Sequence, residues 1–201
     1  MAHAYNTDFL TRFLADQYSF PTKKILLSSE FKRVSVRKNH LLLTPGEVCK
    51  YAYFICRGCL RTYFINKRGE EKTRYIAFEN KFASAFASFI TQAPSAECVQ
   101  ALEDSELLRI RQADFYKLVD STPAFARLYR QSLEQSQVFA TWRIETMISM
   151  TAKERYENLL ERMPQVILRL SNKHVASFLG ITQESLSRVK RITNLPMVNI
   201  V

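Results

Sequence analysis

The spacing of apolar residues changes character near residue 122. Before it, FKRVSVRKNHLLL, YAYFICRGCLRTYFI and EKTRYIAF are short runs rich in β-branched and aromatic residues. Turn signals at Pro45-Gly46, Gly58 and Asn66-Lys67-Arg68-Gly69 separate them. Short strands at such intervals over residues 31–110 predict a sandwich or jelly roll. Ahead of them, Phe9, Leu10, Phe13 and Leu14 predict a short packing helix between Thr7 and Ser19.

From Thr122-Pro123 the spacing is helical, with a threonine N-cap and proline at the first helical position. The stretch to Met150 holds no further Pro or Gly, which predicts one helix of about 27 residues, roughly 40 Å long. Two apolar stripes run along it. One comprises Tyr129, Leu133, Ala140, Ile144 and Met147; the other includes Phe125, Leu128, Phe139 and Trp142. A helix with two apolar faces can pack on its own domain and on a second copy of itself, so the first stripe is the expected dimer seam. Thr151-Ala152-Lys153-Glu154 is a capping box that starts a new helix, with a hinge around Met150.

Residues 170–191, LSNKHVASFLGITQESLSRVKR, carry the most specific signal. Val175, Phe178 and Leu179 form a buried stripe, and Ala176 is small enough to let a second helix approach. Gly180 ends that helix, and Thr182 suits the N-cap of the next. On the second helix Leu186 and Val189 point inward, while Glu184, Ser187, Arg188 and Arg191 share the other face. Such a helix suits the DNA major groove. Gln183, Glu184, Ser187 and Arg188 are the expected base readers, since arginine can donate to guanine and glutamate can accept from cytosine. Ser171, Thr182, Ser185, Lys190 and Arg191 are better placed for phosphates.

The net charge of +10 favours a polyanionic partner. Its distribution says more: residues 23–74 carry +9, residues 75–150 carry −2, and the last 51 residues carry +4. The C-terminal excess fits phosphate contacts, whereas the larger excess on the strands reads as a solvated face. No run approaches 18 apolar residues, and the first twenty residues lack a basic region before an apolar block. The expected location is therefore the cytoplasm, with no membrane partner.

Cys49, Cys56, Cys59 and Cys98 are expected as free thiols. Cys56-Arg-Gly-Cys59 has the spacing of a metal or redox pair, but it sits where two strands kink at Gly58, so strand-lining thiols are expected. A metal-dependent cupin enzyme would need clustered histidines in the roll, and only His40 lies there. No enzyme, metal site or catalytic residue is expected.

The stretch S-x-x-x-V-A-x-F-L-G-I-T-x-E-S-L-S-R resembles the DNA-binding helix pair of the Crp–Fnr transcription factors of bacteria. The resemblance extends over nearly the whole chain and implies an α+β fold. An N-terminal double-stranded β-helix or jelly roll (residues 1–121, a cyclic-nucleotide-binding-like sensor) would precede a long dimerisation helix and hinge (122–150). A helix-turn-helix domain (151–201), winged-helix-like with a reduced wing, would follow. The ten residues after Arg191 leave little chain for that wing. The resemblance implies a homodimer on a near-palindromic double-stranded DNA site, with RNA polymerase as a further partner.

In cyclic AMP-binding members of this family a glycine, a glutamate and an arginine-serine pair cradle the nucleotide. The resemblance puts Ala83 in place of the glycine, Ser84 in place of the glutamate, and Pro94-Ser95 in place of the arginine-serine pair, in the segment that Phe82 opens. Only Ser95 is kept. From Phe82 to Leu108 there is no Lys or Arg, which leaves Arg74 as the nearby candidate cation. A buried phosphate without a counter-charge would cost several kcal/mol. The usual contacts for cyclic AMP are therefore missing, and the effector is unassigned. Iron–sulfur members carry a cysteine cluster near the N-terminus; no cysteine precedes Cys49, so no such cluster is expected. The competing reading is a β-roll for ligand binding or protein interaction, with weak or lost DNA binding.

Overall fold

The computed structural model describes residues 30–193. The expected N-terminal helix over 7–19 and the question of a wing fall outside the described residues. The described chain divides into two compact units, one of residues 30–64 and 75–134, the other of residues 65–74 and 135–193.

The roll of the first unit is built on eight strands: β1 (Lys32–Val36), β2 (Leu41–Leu43), β3 (Tyr51–Arg57), β4 (Leu60–Ile65), β5 (Glu71–Ala77, of which the start, to Arg74, falls in the second unit), β6 (Phe82–Ala83), β7 (Glu97–Ala101) and β8 (Ser105–Arg111). They form two four-stranded sheets, ordered β1-β8-β3-β6 and β2-β7-β4-β5. β8 pairs antiparallel with β1 from Lys32↔Arg109 to Val36↔Ser105. On its other side it pairs with β3, where a bulge falls between Ile55 and Arg57. This is the roll that the short strands and turn signals anticipate.

Gly58 makes the turn from β3 to β4. Its φ of +101° suits glycine, and a Cβ there would collide with the Ser105 side chain and come 2.9 Å from the Asp104 carbonyl oxygen. Its amide donates to Glu79 Oε1 at 2.8 Å.

Three helices complete this unit: α1 (Phe86–Thr91), α2 (Gln112–Ser121) and the first half of α3 (Pro123–Ser149). Phe115 of α2 is the centre of an aromatic cluster. Phe89, Phe125 and Tyr129 meet it edge-on at 5.5, 5.0 and 5.1 Å. These rings join Ala52, Phe54, Val99, Leu108 and Ile110 in one buried cluster. A second cluster, with Tyr53, Ile55, Leu60, Ala101 and Leu107, draws residues from both sheets. All four cysteines are buried free thiols, and burial pushes Cys56 up to about 11. The C-x-x-C spacing thus belongs to packed strand ends.

The second unit holds the remainder of α3, then α4 (Ala152–Arg162), α5 (Pro164–Arg169), α6 (Asn172–Leu179) and α7 (Gln183–Thr193). The capping box expected at Thr151 is complete: the Glu154 amide donates to Thr151 Oγ1, and the Thr151 amide donates to Glu154 Oε2. The bond to Thr151 holds the Glu154 carboxyl below its usual range. Pro164 sits at the start of α5 and separates it from α4. Tyr156, Leu159, Val166, Val175, Phe178, Leu179 and Leu186 are buried and form the apolar interior of these helices.

Candidate nucleic-acid interface

α6 and α7 are joined by a turn of three residues, Gly180 to Thr182. Gly180 takes φ +70° at the C-cap, and its amide bonds back to carbonyls of the last turn of α6. Val175, Ala176, Phe178 and Leu179 are all buried on α6, as the spacing requires. Leu186 and Val189 are buried on α7.

The opposite face of α7 is open. Gln183, Glu184, Ser187, Arg188 and Arg191 are exposed. The Ser185 amide donates to Thr182 Oγ1 at 3.1 Å, so threonine caps this helix as its sequence position suggests. The Glu184 carboxyl is held below its usual range by its own amide, by the Thr182 hydroxyl and by the nearby Arg188 charge. Arg188 in turn donates from Nη2 to Ser185 Oγ at 3.3 Å. The four expected base readers therefore lie on one face within the first two turns of one helix, two of them in mutual electrostatic contact.

The expected phosphate contacts are less uniform. Ser171 and Arg191 are exposed. The Thr182 and Ser185 hydroxyls bond each other at 3.1 Å, so both serve the cap. Lys190 donates from Nζ to Asn172 Oδ1 at 2.6 Å and ties α7 to the start of α6, with two ammonium protons left over.

Residues 65–74, the tip between β4 and β5, also pack on α6. The Thr73 amide donates to Ser177 Oγ at 3.0 Å, and the Ser177 hydroxyl donates to the Glu71 carbonyl at 2.7 Å. Lys173 reaches Glu71 Oε2 at 3.5 Å. Sequence reasoning missed this contact because it joins residues about a hundred positions apart, and Lys173 and Ser177 stand at positions of the helix pair that its pattern leaves open. Arg143 and Arg155, which bond the end of α6, were missed because their partners are backbone carbonyls 35 and 24 residues away, which no side-chain pattern marks.

The proposed seam residues fall into different surroundings. Tyr129 meets Phe115 edge-on, and its hydroxyl lies 3.4 Å from that of Tyr116, so its ring serves the interior of the first unit rather than an open seam. Leu133 is half-buried and Ala140 is exposed. Met147 lies against Gly180 and accepts a contact from Arg155 at 3.3 Å, so it belongs in part to the second unit. Ile144 is 60% exposed, and Val138 and Ile148, which the stripe did not include, are 69% and 80% exposed.

In the roll, Phe82 and Ala83 form β6, with the Phe82 ring 5.2 Å from Phe54 and 6.2 Å from Phe115. Ser84 is half-buried, and Pro94 is exposed and bridges to Val48. The one retained residue, Ser95, is buried, and its hydroxyl both donates to the Glu97 carbonyl and accepts from the Glu97 amide, each at 2.9 Å. Arg74 lies exposed on β5, in the second unit. A cation not singled out from the sequence is buried on β4. Arg61 donates to Gln100 Oε1 from Nε at 2.9 Å and from Nη2 at 2.6 Å, and its guanidinium lies 3.9 Å from the centre of the Tyr63 ring. No signal in the strand marks it: Leu60, Arg61, Thr62 and Tyr63 are all buried, so nothing alternates there, and its partner Gln100 lies opposite on β7. Among the described residues no group of three or more His, Cys, Asp or Glu side chains is placed to hold a metal ion.

This arrangement defines a class of protein: a cyclic-nucleotide-binding-type roll joined through a long helix to a helical unit with an exposed polar helix. Residues 33–122 match the family model of the cyclic nucleotide-binding domain. The fold is shared with solved structures. A CooA variant from Carboxydothermus hydrogenoformans is 21% identical, covering 93% of this chain and 88% of that one, with a TM-score of 0.73. FixK2 from Bradyrhizobium japonicum is 19% identical, covering 81% and 83%, with a TM-score of 0.70. A protein from Eubacterium rectale, described as a transcriptional regulator of the Crp/Fnr family, is 21% identical, covering 89% and 85%, with a TM-score of 0.67. No curated protein matches the chain in sequence. Residues 33–122 thus match the cyclic nucleotide-binding domain family, and the chain shares its fold with these solved structures, one of them described as a Crp/Fnr-family regulator. The resemblance first read from the helix pair is borne out. No described helix is long and apolar enough to cross a membrane.

Proposed function

We propose that this protein is a dimeric, sequence-specific DNA-binding regulator of the Crp–Fnr type. The observation that carries the reading is α7. Its inner face, Leu186 and Val189, is buried, while Gln183, Glu184, Ser187 and Arg188 stand exposed on the other side, behind a threonine cap. That helix enters the major groove; arginine and glutamate read base edges, and Ser171, Lys190 and Arg191 hold phosphates. A single reader of this size recognises too few bases, and pairing supplies a second one a helical turn away. Val138, Ile144 and Ile148 on the second half of α3 leave enough apolar surface exposed to be covered by the same helix of a second copy.

The roll is the input end, but its effector is not held by the usual cyclic AMP contacts. Ala83, Ser84 and Pro94 offer no charge, and the Ser95 hydroxyl already donates its one proton to the Glu97 carbonyl. Selection from a pool of random duplex DNA by the purified protein tests the main reading. The expected result is enrichment of a near-palindromic sequence, and retention of the pool without enrichment refutes sequence reading.

A further inference from the structure

Two arginines away from the exposed face of α7 converge on the end of α6. Arg143, in the second half of α3, donates from Nη2 to the Phe178 carbonyl at 2.5 Å. Its guanidinium carbon lies 4.0 Å from the centre of the Phe178 ring. Arg155, on α4, donates from Nη1 to the Leu179 carbonyl at 2.8 Å. Both carbonyls lie in the last turn of α6, which has no intrahelical donors for them. Cations at that end also offset the partial negative charge of the helix terminus.

The pairing is costly, which makes it informative. Among the described residues neither arginine has a carboxylate partner, and Arg155 Nε is buried without a hydrogen bond. Burial, and then the neighbouring charge of Arg155, push Arg143 down to about 10. Two like charges stay side by side here because one helix end binds both. The next residue is Gly180, where a Cβ would come 2.6 Å from Met147 Cε and 3.5 Å from Arg155 Nη1. The arginines and Met147 therefore fix where α6 stops and where the chain turns toward α7.

We propose that Arg143 and Arg155 are positioning residues for DNA reading: without touching DNA, they fix the end of α6 and so the direction in which α7 presents Gln183, Glu184, Ser187 and Arg188. The inference rests on the DNA-binding reading above. It also gives the break between α3 and α4, at residues 150–151, a mechanical meaning. One clamp residue lies before that break and the other after it, so a change of angle there shifts the two donors against each other at the end of α6.

The test compares binding of the selected duplex and of random-sequence duplex for the intact chain, Arg143→Met, Arg155→Met, Arg143→Lys and Arg188→Ala. Arg143→Met and Arg155→Met keep the side-chain volume and lose the donors. They are expected to bind the selected duplex at least tenfold more weakly and random duplex within twofold of the parent. Their salt dependence is expected to be unchanged, because no phosphate contact is lost. Lysine at 143 keeps one donor but not the planar stack, and is expected to give an intermediate loss. Selected-duplex binding by Arg143→Met within twofold of the parent overturns the proposal. So do equal losses on both duplexes, or a salt slope lowered by about one, which would mark a direct phosphate contact. If Arg143→Met loses its helical circular dichroism, Arg143→Lys decides, and parent-like selectivity in that variant overturns the proposal. A parent protein that prefers no duplex, with Arg188→Ala indistinguishable from it, refutes DNA reading itself; a selective parent with unaffected arginine variants refutes only the positioning role.

Discussion

Replacing Gly180 with alanine tests whether the turn between α6 and α7 is held as described. Gly180 has φ +70°, where a side chain costs roughly 1–2 kcal/mol from contact with its own backbone. The new Cβ would also lie 2.6 Å from Met147 Cε. That methyl is the far end of a flexible side chain that is 44% exposed, so it can move, at about 0.5–1.5 kcal/mol for an unfavourable rotamer. The expected loss is about 2 kcal/mol, or a fall in Tm of roughly 8–16 °C for a unit of this size. Gly69→Ala is the internal control. It has a similar φ of +77° but open space around it, so it reports the backbone cost alone. Gly180→Asn should be milder than Gly180→Ala, because asparagine tolerates the left-handed conformation. Thermal melts and urea titrations followed by circular dichroism give the three differences. The reasoning fails if Gly180→Ala is as stable as the parent, if it loses no more than Gly69→Ala, or if asparagine is as damaging as alanine.

Four further outcomes are expected. Arg188→Ala should weaken binding of the selected duplex by about 1–3 kcal/mol and relax preference at one base per half-site, read by repeating the selection with the variant; uniform weakening on all sequences would remove Arg188 from the base readers. Ile148→Glu, and Val138→Glu with it, should shift the protein from dimer to monomer in sedimentation, because a carboxylate would be buried in an apolar seam; an unchanged mass places the interface elsewhere. Thr151→Ala should lose about 1 kcal/mol at pH 7. The Thr151 hydroxyl also donates to the Glu154 carboxyl, which is held below its usual value, so that part of the stabilisation is present above the unfolded carboxyl value and disappears as pH falls through the folded one; the gap between variant and parent should narrow without closing in urea titrations below about pH 4, because the bond from the Glu154 amide to Thr151 Oγ1 does not titrate, and a gap constant with pH refutes the link. Ser177→Ala should lose about 1–2 kcal/mol in the same assay, since it leaves the Thr73 amide without its acceptor; no loss would make the hairpin contact incidental.

Much of this architecture is legible in the sequence because it rests on local rules. Periodicity located the strands and the long helix, Thr122-Pro123 and Thr151 to Glu154 marked helix starts, and Gly180 with Thr182 marked the turn before α7. Each of these signals acts within a few residues, so backbone sterics and capping read out directly. Base-reading candidates were legible for a related reason: on one helix, spacing alone decides which side chains share a face, and burial of Leu186 and Val189 leaves the others outside.

Tertiary structure decided what depends on distant partners. The stripe through Tyr129 and Met147 is continuous in sequence, yet Tyr129 turns to Phe115 and Met147 lies under Gly180, because packing partners and not helical period choose the buried face. Ser95 is the one residue kept from the cyclic AMP contacts, and only the fold shows its hydroxyl bonded to the Glu97 backbone. Arg61 falls in the stretch whose charge excess reads as a solvated face; its burial depends on Gln100, 39 residues away, and the seating of Arg143 depends on the carbonyl end of α6, 35 residues away. Sequence by itself therefore determined which elements exist and which helix face stays open, since those follow from short-range geometry. The placement of charges inside the molecule, and so the clamp that aims that helix, arises only when distant segments meet.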